Sequence, residues 1–118
     1  RLNRMSDYIA PSRRQTMVSQ EIAHHAGLFI ARESNGASLI TVTRADVAPD
    51  LKKTTIYVSV LPKAQEQTAI AFLKRVRTDF HDFLKDKTVM RNVPTVDFVL
   101  DFGEENRQRI DEALREKK

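Results

Sequence analysis

The stretch LITVTRADVAPDLKKTTIYVSVL, residues 39–61, decides the fold. Leu39 to Val47 is rich in β-branched residues and alternates, which marks a strand. Its apolar parity slips midway: Ile40 and Val42 share one face, Ala45 and Val47 the other. A bulge or strong twist near Arg44 reconciles the two halves. Ala48-Pro49-Asp50 is a turn signal. From Lys53 to Val60 the alternation is clean, with Ile56, Val58 and Val60 on one side. The two runs predict an antiparallel hairpin with one apolar face. Its other face, carrying Thr41, Thr43, Thr55, Tyr57 and Ser59, is rich in hydroxyls and can stay solvated.

Upstream, Val18, Ile22, Ala26 and Phe29 recur at helical spacing, so a helix is expected from Arg13 to about Glu33. Ser12, after Pro11, is its candidate N-cap, and Ser34-Asn35-Gly36 ends it. Downstream, residues 64–87 contain no Gly or Pro. Ile70, Leu73, Val76, Phe80, Phe83 and Lys87 step there by three or four, which predicts one long helix. Arg91-Asn92-Val93-Pro94 reads as a loop. Thr95 to Leu100 reads as a third strand, with Val96, Phe98 and Leu100 on one face. Gly103 to Glu116 reads as a polar terminal helix held by Ile110 and Leu114. The expected order is α-β-β-α-β-α. Two helices on the same face of a three-stranded sheet make a two-layer α+β sandwich. The expected division is a flexible arm over 1–11, one domain over 12–102, and a polar helix or tail over 103–118.

Composition narrows the function. With 118 residues and 41% hydrophobic content, the chain has material for a single core. It has no cysteine, which excludes disulfides, thiolate metal sites and cysteine nucleophiles. No apolar run approaches the roughly 20 residues of a membrane span, and the expected location is the cytoplasm. The first residue is Arg1 and not Met, so the expectation is that this is not the whole translated product. Net charge is +4, and residues 1–94 hold 15 basic against 9 acidic groups. A cationic small domain points toward nucleic acid, whose phosphates are dense in charge.

In an unbroken helix Lys74, Arg77, His81 and Lys85 fall on one stripe, beside a row formed by Asp79, Asp82 and Asp86. Such a stripe suits several phosphates of one backbone. The plainer reading is a solvated face whose cations pair with those aspartates. His24 and His25 point about 100° apart on a helix and cannot chelate one metal together, and His81 has no partner at ligand spacing. No metal site is expected, nor a catalytic residue: no phosphate loop, dinucleotide fingerprint or nucleophile signature occurs. The phenylalanines sit mostly at core-periodic positions. Tyr57, on the polar strand face, suits cross-strand packing more than base stacking.

Several segments together resemble the ribosome-binding factor A family, across residues 12–62 and 93–114. They are Leu39-Ile40-Thr41-Val42-Thr43, Val47-Ala48-Pro49-Asp50-Leu51 and Ile56-Tyr57-Val58-Ser59-Val60-Leu61. Val93-Pro94, Phe98-Val99-Leu100-Asp101 and Arg109-Ile110-Asp111-Glu112-Ala113-Leu114 follow in order and spacing. The resemblance implies a KH-like fold of type II, α-β-β-α-(α)-β, with a three-stranded sheet. It implies a non-enzymatic assembly factor without a cofactor. Such a factor binds the immature small ribosomal subunit and its rRNA and assists rRNA processing and folding. Two positions depart from the family. An Asp-Pro turn after the first helix is replaced by Glu33-Ser34-Asn35-Gly36. The Ala-x-Gly kink in the long helix, a phosphate-gripping feature, is replaced by Val76-Arg77-Thr78, where periodicity predicts no break.

The expected RNA contacts are Lys74, Arg75, Arg77, His81, Lys85, Lys87 and Arg91 on the long helix and the loop after it. Lys52 and Lys53 at the hairpin turn, and Arg13 and Arg14 at the first helix start, are further candidates. Ribosomal proteins are a further expected contact, and a monomer is expected. The alternative is a KH-like protein-interaction module that has lost RNA binding with the kink. A free-standing KH protein reading single-stranded RNA fits less well, because it wants a Gly-rich phosphate loop.

Overall fold

The computed structural model of the chain describes residues 10–34 and 36–102. The expected arm, apart from residues 10 and 11, and the expected terminal helix lie outside the described residues.

Helix α1 spans Arg13–Glu33. Ser12 caps it: its Oγ accepts from the Gln15 amide at 3.1 Å, and Gln15 Oε1 accepts from the Ser12 amide at 2.9 Å. Gln15 Nε2 also donates to the Val47 carbonyl at 2.9 Å, tying the helix start to the end of the first strand. Strands β1 (Leu39–Val47) and β2 (Lys53–Leu61) form the antiparallel hairpin. The register steps from Val42↔Val58 to Arg44↔Tyr57, so β1 carries one extra residue where the parity slip demanded it. The hydroxyl of that residue, Thr43, donates to Asp101 Oδ2 at 2.6 Å.

A short 3-10 turn, Lys63–Gln65, leads into α2 (Glu66–Arg75), α3 (Arg77–Lys87) and β3 (Thr95–Leu100). Strand β3 runs parallel to β2, from Lys53↔Thr95 to Val58↔Leu100. A parallel partner needs a crossover, and α2 with α3 supplies it. The sheet order is β1-β2-β3, and the three helices lie on one face. The described order is thus α-β-β-α-α-β.

The long helix expected over 64–87 is therefore two helices. They meet at Val76, which sits at φ −99 and ψ 10, outside the helical well. The Val76 amide still donates to the Phe72 carbonyl at 3.1 Å, and its carbonyl accepts from Phe80 at 2.9 Å. Only the three amides between lose helical acceptors, and Arg77, Thr78 and Asp79, which carry them, are exposed residues. Burial on both sides of the break holds it: Ala69 and Leu73 before, Phe80 and Leu84 after.

The core lies between the helices and the apolar sheet face. Ile22, Ala26, Phe29 and Ile30 of α1 meet Ile56, Val58 and Val60 of β2 and Val96 and Phe98 of β3. Phe80 is the hinge of this packing, with ring centroids 5.2 Å from Phe29 and 5.8 Å from Phe98. Phe80→Ala is expected to cost about 3–5 kcal/mol, read by urea unfolding. Ser12→Ala, which removes one cap, is expected to cost about 1 kcal/mol in the same assay.

Candidate nucleic-acid interface

The break at Val76 gives α3 an N-terminus of its own. The amides of Arg77, Thr78 and Asp79 have no intrahelical acceptor by the geometry of a helix start, and Val76 offers no side-chain cap. Such a start carries partial positive charge and suits an anion. Lys74, Arg75 and Arg77 surround it, all exposed. A side chain thus stands where the family's glycine is missing, and the bend is present without it.

The expected stripe is not a free row of cations. Lys74 Nζ lies 3.1 Å from Asp97 Oδ1, and Arg77 Nη1 lies 3.7 Å from the same oxygen. His81 Nε2 lies 3.3 Å from the Val93 carbonyl, which ties α3 to the loop before β3. The carboxylate that answers Lys74 and Arg77 comes from β3 and not from Asp79, Asp82 or Asp86. Asp82 Oδ1 approaches only His81, at 3.8 Å from Nδ1. Lys85 and Lys87 occupy the last turn of α3, where cations complement the helix dipole. Among the described residues they form no ion pair, and neither does Arg91.

The remaining candidates gather at the opposite end of α3, about 16 Å away by helical rise. Arg14 from the start of α1, Lys52 from the hairpin turn and Arg91 from the loop before β3 line one cleft. Three segments far apart in sequence meet there. The Thr95 amide donates to the Lys52 carbonyl at 3.0 Å, and the Lys52 amide donates to Asp50 Oδ1 at 3.0 Å. Arg13 and Lys53 are exposed beside them.

Tyr57 on the open sheet face is covered by the Arg44 guanidinium, 3.8 Å from its ring centroid. Arg44 Nη1 also reaches Asp46 Oδ2 at 2.9 Å. This is the cross-strand packing expected for Tyr57, and it leaves that ring face occupied. His24 and His25 sit edge to face, with centroids 5.3 Å apart. Among the described residues no group of three or more His, Cys, Asp or Glu side chains is placed to hold a metal, and no helix is long and apolar enough to cross a membrane.

Sequence reasoning missed Asp97. Its signal was present: a lone acid between Val96 and Phe98, on the strand parity that avoids the core. It missed the cleft too, because no local pattern links residues 14, 52 and 91.

The profile of ribosome-binding factor A matches residues 14–114. The chain belongs to the ribosome-binding factor A family. The ribosome-binding factor A of Paramagnetospirillum magneticum is 32% identical over 109 residues, covering 88% of this chain and 77% of that protein. That of an Anaeromyxobacter species is 31% identical over 116 residues, covering 95% and 92%. The crystal structure of ribosome-binding factor A from Thermus thermophilus aligns with a TM-score of 0.66 at 18% identity, over 73% of this chain and 94% of that one. A Thermus thermophilus ribosome binding factor A fitted into a cryo-EM map of a 30S complex aligns with a TM-score of 0.60 at 19% identity, over 76% and 93%. These structures share the KH-like fold. Ribosome-binding factor A proteins are ribosome-binding by designation, and the chain falls within ribosome biogenesis.

The pairing at the bend makes a prediction for this ribosome-binding factor A relative. Asp97→Asn keeps an acceptor for the Phe98 amide, which Asp97 Oδ1 serves at 2.9 Å, yet removes the charge facing Lys74 and Arg77. It is expected to cost less than about 1 kcal/mol of stability, since the pair is exposed. The variant is expected to elute from heparin at higher salt than the parent protein.

Proposed function

We propose that this protein is a cytoplasmic assembly factor that binds the immature small ribosomal subunit through its rRNA and assists the processing and folding of that RNA. The observation that carries the reading is the bend at Val76. It sets free helix amides among Lys74, Arg75 and Arg77, so a phosphate there meets both backbone donors and side-chain charge. The Thermus thermophilus factor fitted into a 30S map supports the choice of the small subunit.

Arg75 at the end of α2, Lys85 and Lys87 in α3 and Arg91 in the loop after it extend the contact, and Lys74 and Arg77 join it when phosphate displaces Asp97. His81 acts by holding α3 against the Val93 carbonyl. Arg13, Arg14, Lys52 and Lys53 make a second set of contacts at the cleft end. Ribosomal proteins adjoin the RNA surface, and one copy of the chain is the acting unit. The rival reading, a protein-interaction module without RNA binding, drew on an unbroken helix neutralised by its own aspartates; the helix instead breaks at Val76, and Lys74 and Arg77 pair with Asp97.

The test is co-sedimentation with isolated small subunits at low and moderate salt, beside assembled ribosomes. Salt-sensitive pelleting with free small subunits alone is expected. The triple reversal Arg75→Glu, Lys85→Glu and Lys87→Glu is expected to weaken it and to lower the salt slope by roughly 2–3 units. Unchanged affinity and slope in the reversal would sink the reading.

A further inference from the structure

At the end of the sandwich away from the bend, α1, the hairpin turn and the loop before β3 border an open cleft of about 970 Å³. Its lining has three chemistries. Arg14, Lys52 and Arg91 bring cations, each from a different segment. Glu21 and Asp50 bring carboxylates. Val89 and Met90 bring an apolar wall, and Val89 is 99% exposed.

This mixture argues against a groove that only tracks a phosphate backbone, because carboxylates repel phosphate. It argues equally against a greasy docking groove, because five ionic side chains line it. One ligand satisfies all three chemistries at once: a nucleotide taken out of the stack. Its phosphate meets the cations, its base lies on the apolar wall, and the amino N–H groups of its base edge donate to a carboxylate. Arg91 also continues the cationic run of Lys85 and Lys87, so a strand lying along α3 ends at the cleft mouth.

The turn is held in the shape this needs. Leu51 adopts φ 61, a left-handed backbone that bulky residues avoid. Its amide donates to the Ala48 carbonyl at 2.8 Å. That conformation sets Asp50 and Lys52 on either side of a half-buried leucine, so one cleft wall presents both signs of charge.

We propose that this cleft binds one unstacked nucleotide of single-stranded RNA, preferring a base with an amino group over uracil. The inference rests on the rRNA-binding reading and adds to its cleft-end contacts a site for a base, separate from the bend. The bend takes phosphate, and the cleft takes a base.

The experiment is an NMR titration of the isotopically labelled full chain with a mixed-sequence single-stranded hexaribonucleotide. The same strand in duplex, a uridine-only hexamer and free GMP are the comparisons. Saturating shifts of the Val89 and Met90 methyls with the mixed single strand are expected, with smaller ones for duplex and uridine-only RNA. Val89→Asp places charge on the wall at an exposed position that the fold does not use, and should weaken hexamer binding roughly fivefold. Arg91→Ala is expected to lower the salt slope by roughly one unit.

Shifts confined to residues 74–78, with hexamer affinity unchanged in Val89→Asp, would overturn the proposal and leave the assembly-factor reading intact. Equal filling by free GMP would overturn it by making the cleft a mononucleotide site. Loss of small-subunit pelleting in Val89→Asp without loss of hexamer affinity would overturn it in favour of a protein ligand. Hexamer shifts at Val89 with no pelleting of the parent protein would uphold the cleft while the assembly reading fails.

Discussion

Phe80 meets Phe29 of α1 and Phe98 of β3 at centroid distances of 5.2 and 5.8 Å, with no exposure of its own. Phe83 adds a fourth ring, 5.4 Å from Phe29, and Arg32 closes the outside of the cluster 4.8 Å above the Phe83 ring. The contact joins the first helix, the crossover and the last strand. Three segments that are distant in sequence share it, so it sets how far apart the two layers stand. A twisted sheet turns away beneath a straight rod. With Phe80 anchored over β3 and Leu73 anchored one helix earlier, the crossover follows the sheet by bending between them. Packing therefore decides the backbone at Val76, and the local sequence merely permits it.

That bend carries the electrostatics with it. Lys74 and Arg77 end up on either side of the break and converge on one carboxylate of β3, 23 residues from Lys74. Asp97 gives both cations a single anionic partner and so keeps them ordered. The exposed pair contributes little to stability; its effect is on the geometry of the site.

The hairpin was legible because one face of it is buried. Period-two alternation, the parity slip and the turn residues all follow from that single constraint, and the bulge lies where the slip predicted. The break was not legible. From Leu73 to Phe80 is seven residues, about two turns of a continuous helix, so the apolar phase is the same with or without a bend. The resemblance to a kinked family carried the right order, α-β-β-α-α-β, where periodicity alone did not. The placement of the cations divided in the same way. Their helical faces could be counted along the chain, whereas Asp97 and the cleft wall come from segments that only the parallel β2–β3 pairing brings near.

The extra residue in β1 has a consequence for the outside of the molecule. Among the described residues β1 has no second neighbour, so its outer edge presents unpaired amides and carbonyls. A flat edge of nine residues is a template for another strand. Here the ladder falls out of step after Val42, and Arg44 and Asp46 put opposite charges along the remainder. An added strand would pair over one half of β1 and miss over the other. The correction that returns Ala45 and Val47 to the core thus also discourages chain-to-chain growth along the sheet.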